Sequence, residues 1–307
     1  MSAKRALAIA AAGGHSLLMM GPPGSGKTML ANRLPSILPS LTDQQALEVA
    51  AILSLCGKTI NLNKWYLPPF RSPHHTSSSA ALVGGGNPPC PGEISLAHHG
   101  LLFLDEFPEF KRHVLETLRE PLESGYIHIS RSGKQAVFPT KFQLIAAMNP
   151  CPCGYLGSSL KNCQCSLEQI RRYRHKISGP LLDRIDMHIQ VAAIPKTILI
   201  SSSAKNTGSA QIKEKVILAR NNQYQRTGKL NAALTPAELE EFVKLTENNE
   251  RLLENAIDKL GLSARAYFRV LRIARTIADF SNSTLVETVH LTEALTYRPF
   301  ENNEINY

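Results

Sequence analysis

A chain of 307 residues with 43% hydrophobic residues is long enough to bury one large or two modest cores. No apolar run approaches the ~20 residues needed to span a bilayer, which argues against a membrane-spanning protein. A formal net charge of +9 fits a polyanionic partner such as nucleic acid, but it would equally suit an anionic membrane surface, so charge alone does not choose.

Lys4-Arg5 followed by Ala6 to Ala12 imitates the start of a secretory signal. Cleavage there would remove the strand feeding the next motif, so the segment is expected to be a helix and the protein cytosolic. The apolar run His15–Met20 reads as that strand. It leads into Gly21-Pro22-Pro23-Gly24-Ser25-Gly26-Lys27-Thr28, a complete G-x-x-x-x-G-K-[ST] phosphate-binding loop. The glycines let successive N–H groups point at the phosphates, and a helix opening at Gly26 adds its positive dipole end. Lys27 then reaches the β- and γ-phosphates, and the Thr28 hydroxyl takes a place on Mg²⁺. An ordinary Gly/Pro turn is the plainer alternative, which the strand–loop–helix context disfavours.

Thr42-Asp43-Gln44-Gln45 is a capping box that opens a helix over 43–55. Residues 56–95 hold six of the 19 prolines together with the Ser/Gly clusters, and a loop that long inside a domain is expected to be functional or mobile. Gly100–Leu104 is a continuous apolar run ending in Asp105 and Glu106, the pattern of a buried parallel strand with acids at its carboxyl end. Asp105 is expected to hold Mg²⁺ through its water shell, and Glu106 to polarise the attacking water. Solvated acids at a strand end are the alternative. Residues 126–138 read as a β-hairpin whose tip, Arg131-Ser132-Gly133-Lys134, is basic, with Lys141 near its base. Such side chains would track a phosphate backbone, although from the residues alone a solvated turn is the preferred reading.

Phe142–Met148 is a third apolar strand, ending in Asn149-Pro150. Carboxyl ends of neighbouring parallel strands share one crevice, which places Asn149 near the same water or the γ-phosphate. Cys151-Pro152-Cys153 and Cys163-Gln164-Cys165 follow directly, and two C-x-C pairs can fold back so that four thiolates meet at one structural Zn²⁺. Disulfides are the poorer alternative in a reducing cytosol. From Ala210 the pattern is helical to about Tyr297. There Arg265, Arg269 and Arg272 share a helix face opposite Tyr267, Val270, Leu271, Ala274 and Ile277, and Arg269 and Arg272 are read as solvated.

The three strand-end motifs, with Gly179-Pro180-Leu181-Leu182-Asp183-Arg184-Ile185-Asp186, resemble AAA+ ATPases of the branch containing magnesium-chelatase I subunits and minichromosome-maintenance helicases. The blocks Arg71–Ser78, Leu82–Gly86, Pro91–Gly100 and Leu262–Tyr267 are similar to those of the Mg-chelatase-like ComM/YifB family. The resemblance implies an α/β fold: a P-loop NTPase with a doubly wound parallel sheet, followed by a helical lid. Its boundaries would be a nucleotide-binding core over 1–195, a linker over 196–209 and the lid over 210–307. It implies ATP as the nucleotide, an arginine finger at Arg184 reaching the next subunit of a ring, hexameric by analogy, and a sensor arginine at Arg265 that serves the neighbour where the lid is displaced. The hairpin falls where helicases of that branch insert a pore hairpin, giving single-stranded or branched DNA as the partner and natural transformation as the setting. Family members carry a Lon-protease-like domain upstream, so a further amino-terminal domain is expected before Met1. Two alternatives are a chelatase-type motor subunit and a protein unfoldase. The second grips polypeptide with an aromatic pore residue, and this hairpin tip has none.

Overall fold

The computed structural model describes residues 3–131, 134–158, 161–193, 208–260 and 263–298, with only the backbone of Arg131, Lys134, Ile257 and Leu260. Along the chain the strands are β1 (Leu17–Met20), β2 (Phe70–Arg71), β3 (Gly84–Gly85), β4 (Cys90–Pro91), β5 (Leu101–Leu104), β6 (Tyr126–Arg131), β7 (Lys134–Pro139), β8 (Gln143–Met148) and β9 (Met187–Gln190). Five of them pair in parallel in the order β2-β5-β8-β1-β9. This is the expected α/β AAA+ fold.

The three long apolar runs become the central strands because every one of their side chains is buried. Their alternation divides the core. Leu17, Met19, Leu101, Phe103, Ile145 and Ala147 face the amino-terminal helix Ala3–Gly13 and the carboxyl-terminal helices, while Leu18, Met20, Leu102, Leu104, Leu144 and Ala146 face the hairpin side. The β6–β7 hairpin pairs antiparallel from Tyr126↔Pro139 to Arg131↔Lys134, and Ile127, Ile129 and Phe138 anchor it in the second core. Its tip residues 132 and 133 lie outside the described residues, as do the side chains of Arg131 and Lys134.

The amino-terminal segment is helical, and Thr42 and Gln45 form the expected capping box on the helix Asp43–Leu55. The stretch 56–95 is more structured than a loop, holding β2 to β4 and the short helices Ser79–Val83 and Glu93–Leu96. Most of the linker lies outside the described residues, and its last residue, Ser209, already opens the helix Ser209–Thr227. The helices Pro236–Phe242, Glu247–Leu260, Ala264–Phe280 and Thr288–Leu295 complete the carboxyl-terminal part. That part is tied to the amino-terminal helix and the turn leading into β1 by polar bonds: His15 Nε2 meets Thr276 Oγ1 at 2.7 Å, and Gln223 Nε2 donates to the Ala12 carbonyl at 3.1 Å.

One expectation is overturned here. Arg269 is not solvated but buried, with its Nε 3.5 Å from Asp186 Oδ1, and half-buried Arg272 donates from Nε to the Leu234 carbonyl at 2.8 Å. Asp186 also accepts from the Ser16 N–H at 3.0 Å, so the helix Ala264–Phe280 docks on the sheet through paired charge. A heptad-like spacing of arginines reads as a wet face only if no acid waits opposite, and Asp186 lies far away in sequence. No helix among the described residues is long and apolar enough to cross a membrane.

Candidate nucleotide site and cysteine cluster

Strand order builds the candidate site. β8 lies between β5 and β1, so Asn149 sits between the Asp105 strand and the phosphate-loop strand. The Gly21 N–H donates to the Met148 carbonyl at 3.2 Å, stitching the loop to the end of β8. Gly26 caps the helix Lys27–Arg33 in the left-handed region (φ 85°), and no side chain satisfies the first turn's N–H groups. Those groups lack intrahelical acceptors by geometry and are left to meet an anion.

Lys27 is buried, and its ammonium donates to the Gly21 and Pro22 carbonyls at 2.8 and 3.0 Å and to Asn149 Oδ1 at 3.3 Å. Desolvation lowers its pKa, partly offset by the Asp105 charge. A bound phosphate would restore the lost solvation, which is the chemistry this donor set fits. Thr28 Oγ1 donates to Asp105 Oδ2 at 2.7 Å, bringing together the hydroxyl and carboxylate expected on Mg²⁺. Glu106 takes a left-handed backbone (φ 52°), uncommon for a residue with a side chain, and its N–H donates to Asp105 Oδ1 at 2.9 Å.

His75 was missed by the sequence reading. Its Nδ1 lies 2.9 Å from Glu106 Oε2, and its ring packs against that of His74 at a tilt of 34°. Arg71, at the end of β2, clamps Glu93 through Nε and Nη2, both at 2.6 Å, and so fixes where the His74-His75 segment leaves the sheet. The only sequence signal for His75 was membership of the Arg71–Ser78 block, which names no contact.

Arg184 bonds to Glu123 and, from Nη1, to the Pro180 carbonyl at 2.6 Å, not to the acids at the strand ends. Arg265 is exposed and lies close enough to Glu123 that both arginines help hold that carboxyl below its usual range, the Arg184 hydrogen bond first. Lys141 is exposed at the hairpin base.

The four cysteines come together. Cys151 Sγ lies 3.4 Å from Cys153 Sγ and 3.7 Å from Cys163 Sγ, and Cys153 Sγ lies 3.6 Å from Cys163 Sγ. Disulfide sulfurs would be about 2 Å apart. Four sulfurs at ~2.3 Å from a tetrahedral Zn²⁺ would be about 3.8 Å apart, which the observed spacings approach. The Cys153 N–H points at Cys165 Sγ at 3.4 Å and the Cys165 N–H at Cys163 Sγ at 3.5 Å, as thiolates require. Backbone bonds from Tyr155 and Gln164 bring Cys153 down to about 6. The Cys165 N–H favours the Cys163 thiolate, yet burial and the neighbouring sulfurs push Cys163 up to about 12. Four clustered thiols ionise together only around a cation.

A second cluster, Glu48, His98 and His99, fits a metal less well. Both Nε2 atoms face Glu48 Oε2, at 3.1 and 2.7 Å. His98 Nδ1 accepts the Lys141 N–H at 3.0 Å, so neutral His98 carries its proton on Nε2 and donates it to Glu48. Burial brings the His98 pKa down to about 4, which keeps it neutral near pH 7. The cluster is a hydrogen-bonded strap between the helix Asp43–Leu55 and the hairpin base.

Comparison with known families matches residues 1–199 to the magnesium chelatase, subunit ChlI, model and residues 206–298 to the ChlI C-terminal model. The chain is 52% identical to the competence protein ComM of Haemophilus influenzae over 297 residues, covering 96% of this chain and 58% of that protein. It is 49% identical to the uncharacterised protein YifB of Escherichia coli over 97% of this chain and 58% of that protein. A chloroplastic magnesium-chelatase subunit ChlI of rice is 24% identical over 57% of this chain and 33% of its own length. The chain thus spans less than two thirds of the length of these curated relatives.

Proposed function

Since the chain belongs to the magnesium-chelatase ChlI family of AAA+ ATPases, in its ComM/YifB branch, we propose that it is an ATP-hydrolysing ring motor acting on DNA, a helicase or branch-migration ATPase. The observation that carries the ATPase part is the convergence of buried Lys27, the Thr28–Asp105 pair and Asn149 at three adjacent strand ends. Lys27 leaves its two carbonyls for the β- and γ-phosphates, and Asn149 orients the terminal phosphate or the water attacking it. Mg²⁺ held by Thr28 and Asp105 would neutralise charge on the phosphates. Glu106 takes the proton of the attacking water. Residues 1–195 act as the nucleotide core and 210–307 as the lid. Arg184 and Arg265, near one carboxylate, face the neighbour's nucleotide in a hexamer, where a triphosphate outcompetes half-exposed Glu123. The cysteine cluster holds structural zinc, which fits a reducing cytoplasm.

His75 holds the Glu106 carboxylate in one orientation. His75→Ala is expected to lower kcat about tenfold, less than loss of the base itself, with the affinity for ATP nearly unchanged. A titration of ATPase rate against ATP checks this. An equal fall in affinity would place His75 in loop stability instead.

The DNA part rests on the basic hairpin tip and on the competence name of a relative at 52% identity. Changing Arg131 and Lys134 together to Ala is expected to weaken single-stranded DNA binding by the assembled protein and to spare basal ATPase. The log–log salt slope should flatten by roughly 0.7 for each DNA phosphate that is no longer neutralised. Binding isotherms at several salt concentrations measure it. Unchanged affinity and slope would remove the hairpin, with Lys141 at its base, as the grip. Absence of DNA binding by the assembled parent even at low salt would favour a chelatase-type motor or a protein remodeller.

A further inference from the structure

Both ends of the cysteine loop press on the nucleotide site. At its start, Cys151 follows Asn149 by two residues, and Asn149 Oδ1 accepts from Lys27 at 3.3 Å. At its end, Cys165 adjoins Ser166, which caps the helix Leu167–Arg174 in a reciprocal box with Gln169. That helix returns to the same place: Tyr173 is buried beside the Asn149 backbone, and Arg174 Nε donates to the Pro150 carbonyl at 3.2 Å. Inside the loop, Gly154 (φ 83°) lies so close to the phosphate loop that an added Cβ would sit 2.6 Å from Pro23 Cδ and 3.7 Å from Asn149 Cγ. A glycine is required there by both the backbone angle and the approach.

We propose that the metal-bound cysteine loop is a strut for the phosphate loop, so that zinc occupancy sets the affinity for the nucleotide by fixing Pro23 and Asn149. The proposal rests on the zinc reading above and adds a coupling between two sites. The physical reason is closure. Without the metal, the four cysteines no longer share one anchor, and the pressure of the loop on Pro23 gives way to chain entropy. With the metal, four anchors close the loop around Asn149, and the phosphate loop meets a rigid wall. The sheet is independent of this, because its three central strands are fully buried and the two cores that cover them include no described residue of the cysteine loop.

The test uses the full chain and reads zinc per chain, binding of a fluorescent ATP analogue, and circular dichroism. Parent protein should hold about one zinc. Stripping it with a chelator under reducing conditions should weaken nucleotide binding by about tenfold or more, and zinc added back should restore it. Gly154→Ala should keep its zinc and still bind the analogue about tenfold more weakly, since the added carbon displaces Pro23. Cys163→Ser with Cys165→Ser should behave like the stripped parent, with its helical content retained. Parent protein free of zinc would overturn the zinc reading and the strut with it. Zinc present, with nucleotide affinity unchanged both by its removal and by Gly154→Ala, would overturn the strut alone. Affinity that falls on stripping and is not regained with zinc, in protein whose circular dichroism is unchanged, would also overturn it.

Discussion

Glu106→Gln is expected to retain ATP binding and lose turnover by about 10²- to 10⁴-fold, whereas Lys27→Ala is expected to lose binding itself. The difference follows from where each charge sits. Lys27 is a buried ammonium bonded to two backbone carbonyls and Asn149, so its removal takes a donor from each of them and deletes the positive charge proposed to meet the triphosphate. Glu106 is half-exposed, bonded through its carboxylate to His75, and contributes nothing to the loop's N–H groups. Glutamine preserves its size and one oxygen but cannot accept the water's proton. Binding of a fluorescent ATP analogue and single-turnover hydrolysis separate the two variants. An equal loss of affinity in both would refute the division of roles. The left-handed backbone at Glu106 sharpens the expectation, because a strained residue held at a strand end keeps its orientation when the side chain changes by one atom.

What could be read from the residues alone depended on how local the cause was. The runs at Leu17–Met20, Leu101–Leu104 and Gln143–Met148 declare themselves because strands buried on both faces admit only apolar residues. The phosphate loop and the capping box at Thr42 are likewise local chemistry. β2 and β9 were not legible: Phe70-Arg71 is a two-residue edge between prolines, and Met187–Gln190 carries a buried histidine that breaks the apolar pattern. The His75–Glu106 contact and the Asp186–Arg269 pair each join residues remote in sequence, and no periodicity encodes such a meeting. The cysteine spacing announced a cluster. That the cluster leans on Pro23 could not be read from it, since Gly154 looks like any loop glycine until its backbone angle and neighbours are known.

Arg184→Ala is expected to leave ATP binding nearly intact and to reduce turnover by about 10³-fold or more, the range for an arginine that stabilises transferring phosphate from outside the site. Within one chain Arg184 is bound to Glu123 and Pro180 rather than to its own strand-end acids, and exposed Arg265 lies near the same carboxylate. That arrangement supports action on a neighbour's nucleotide, and mixing gives the decisive experiment. Arg184→Ala protein keeps Lys27 and lacks the finger, while Lys27→Ala protein keeps the finger and binds no nucleotide. Where the two meet in the right order around a ring, one complete site forms from the Lys27 of one subunit and the Arg184 of the next. Mixtures should therefore hydrolyse ATP faster than either parent, with a maximum near equal proportions. Glu123→Gln offers a control of a different kind, since it weakens the hold on Arg184 without removing the guanidinium, and turnover in the ring should persist. If mixtures that demonstrably co-assemble remain as inactive as both parents, Arg184 acts within its own subunit, and its bond to Glu123 is structural.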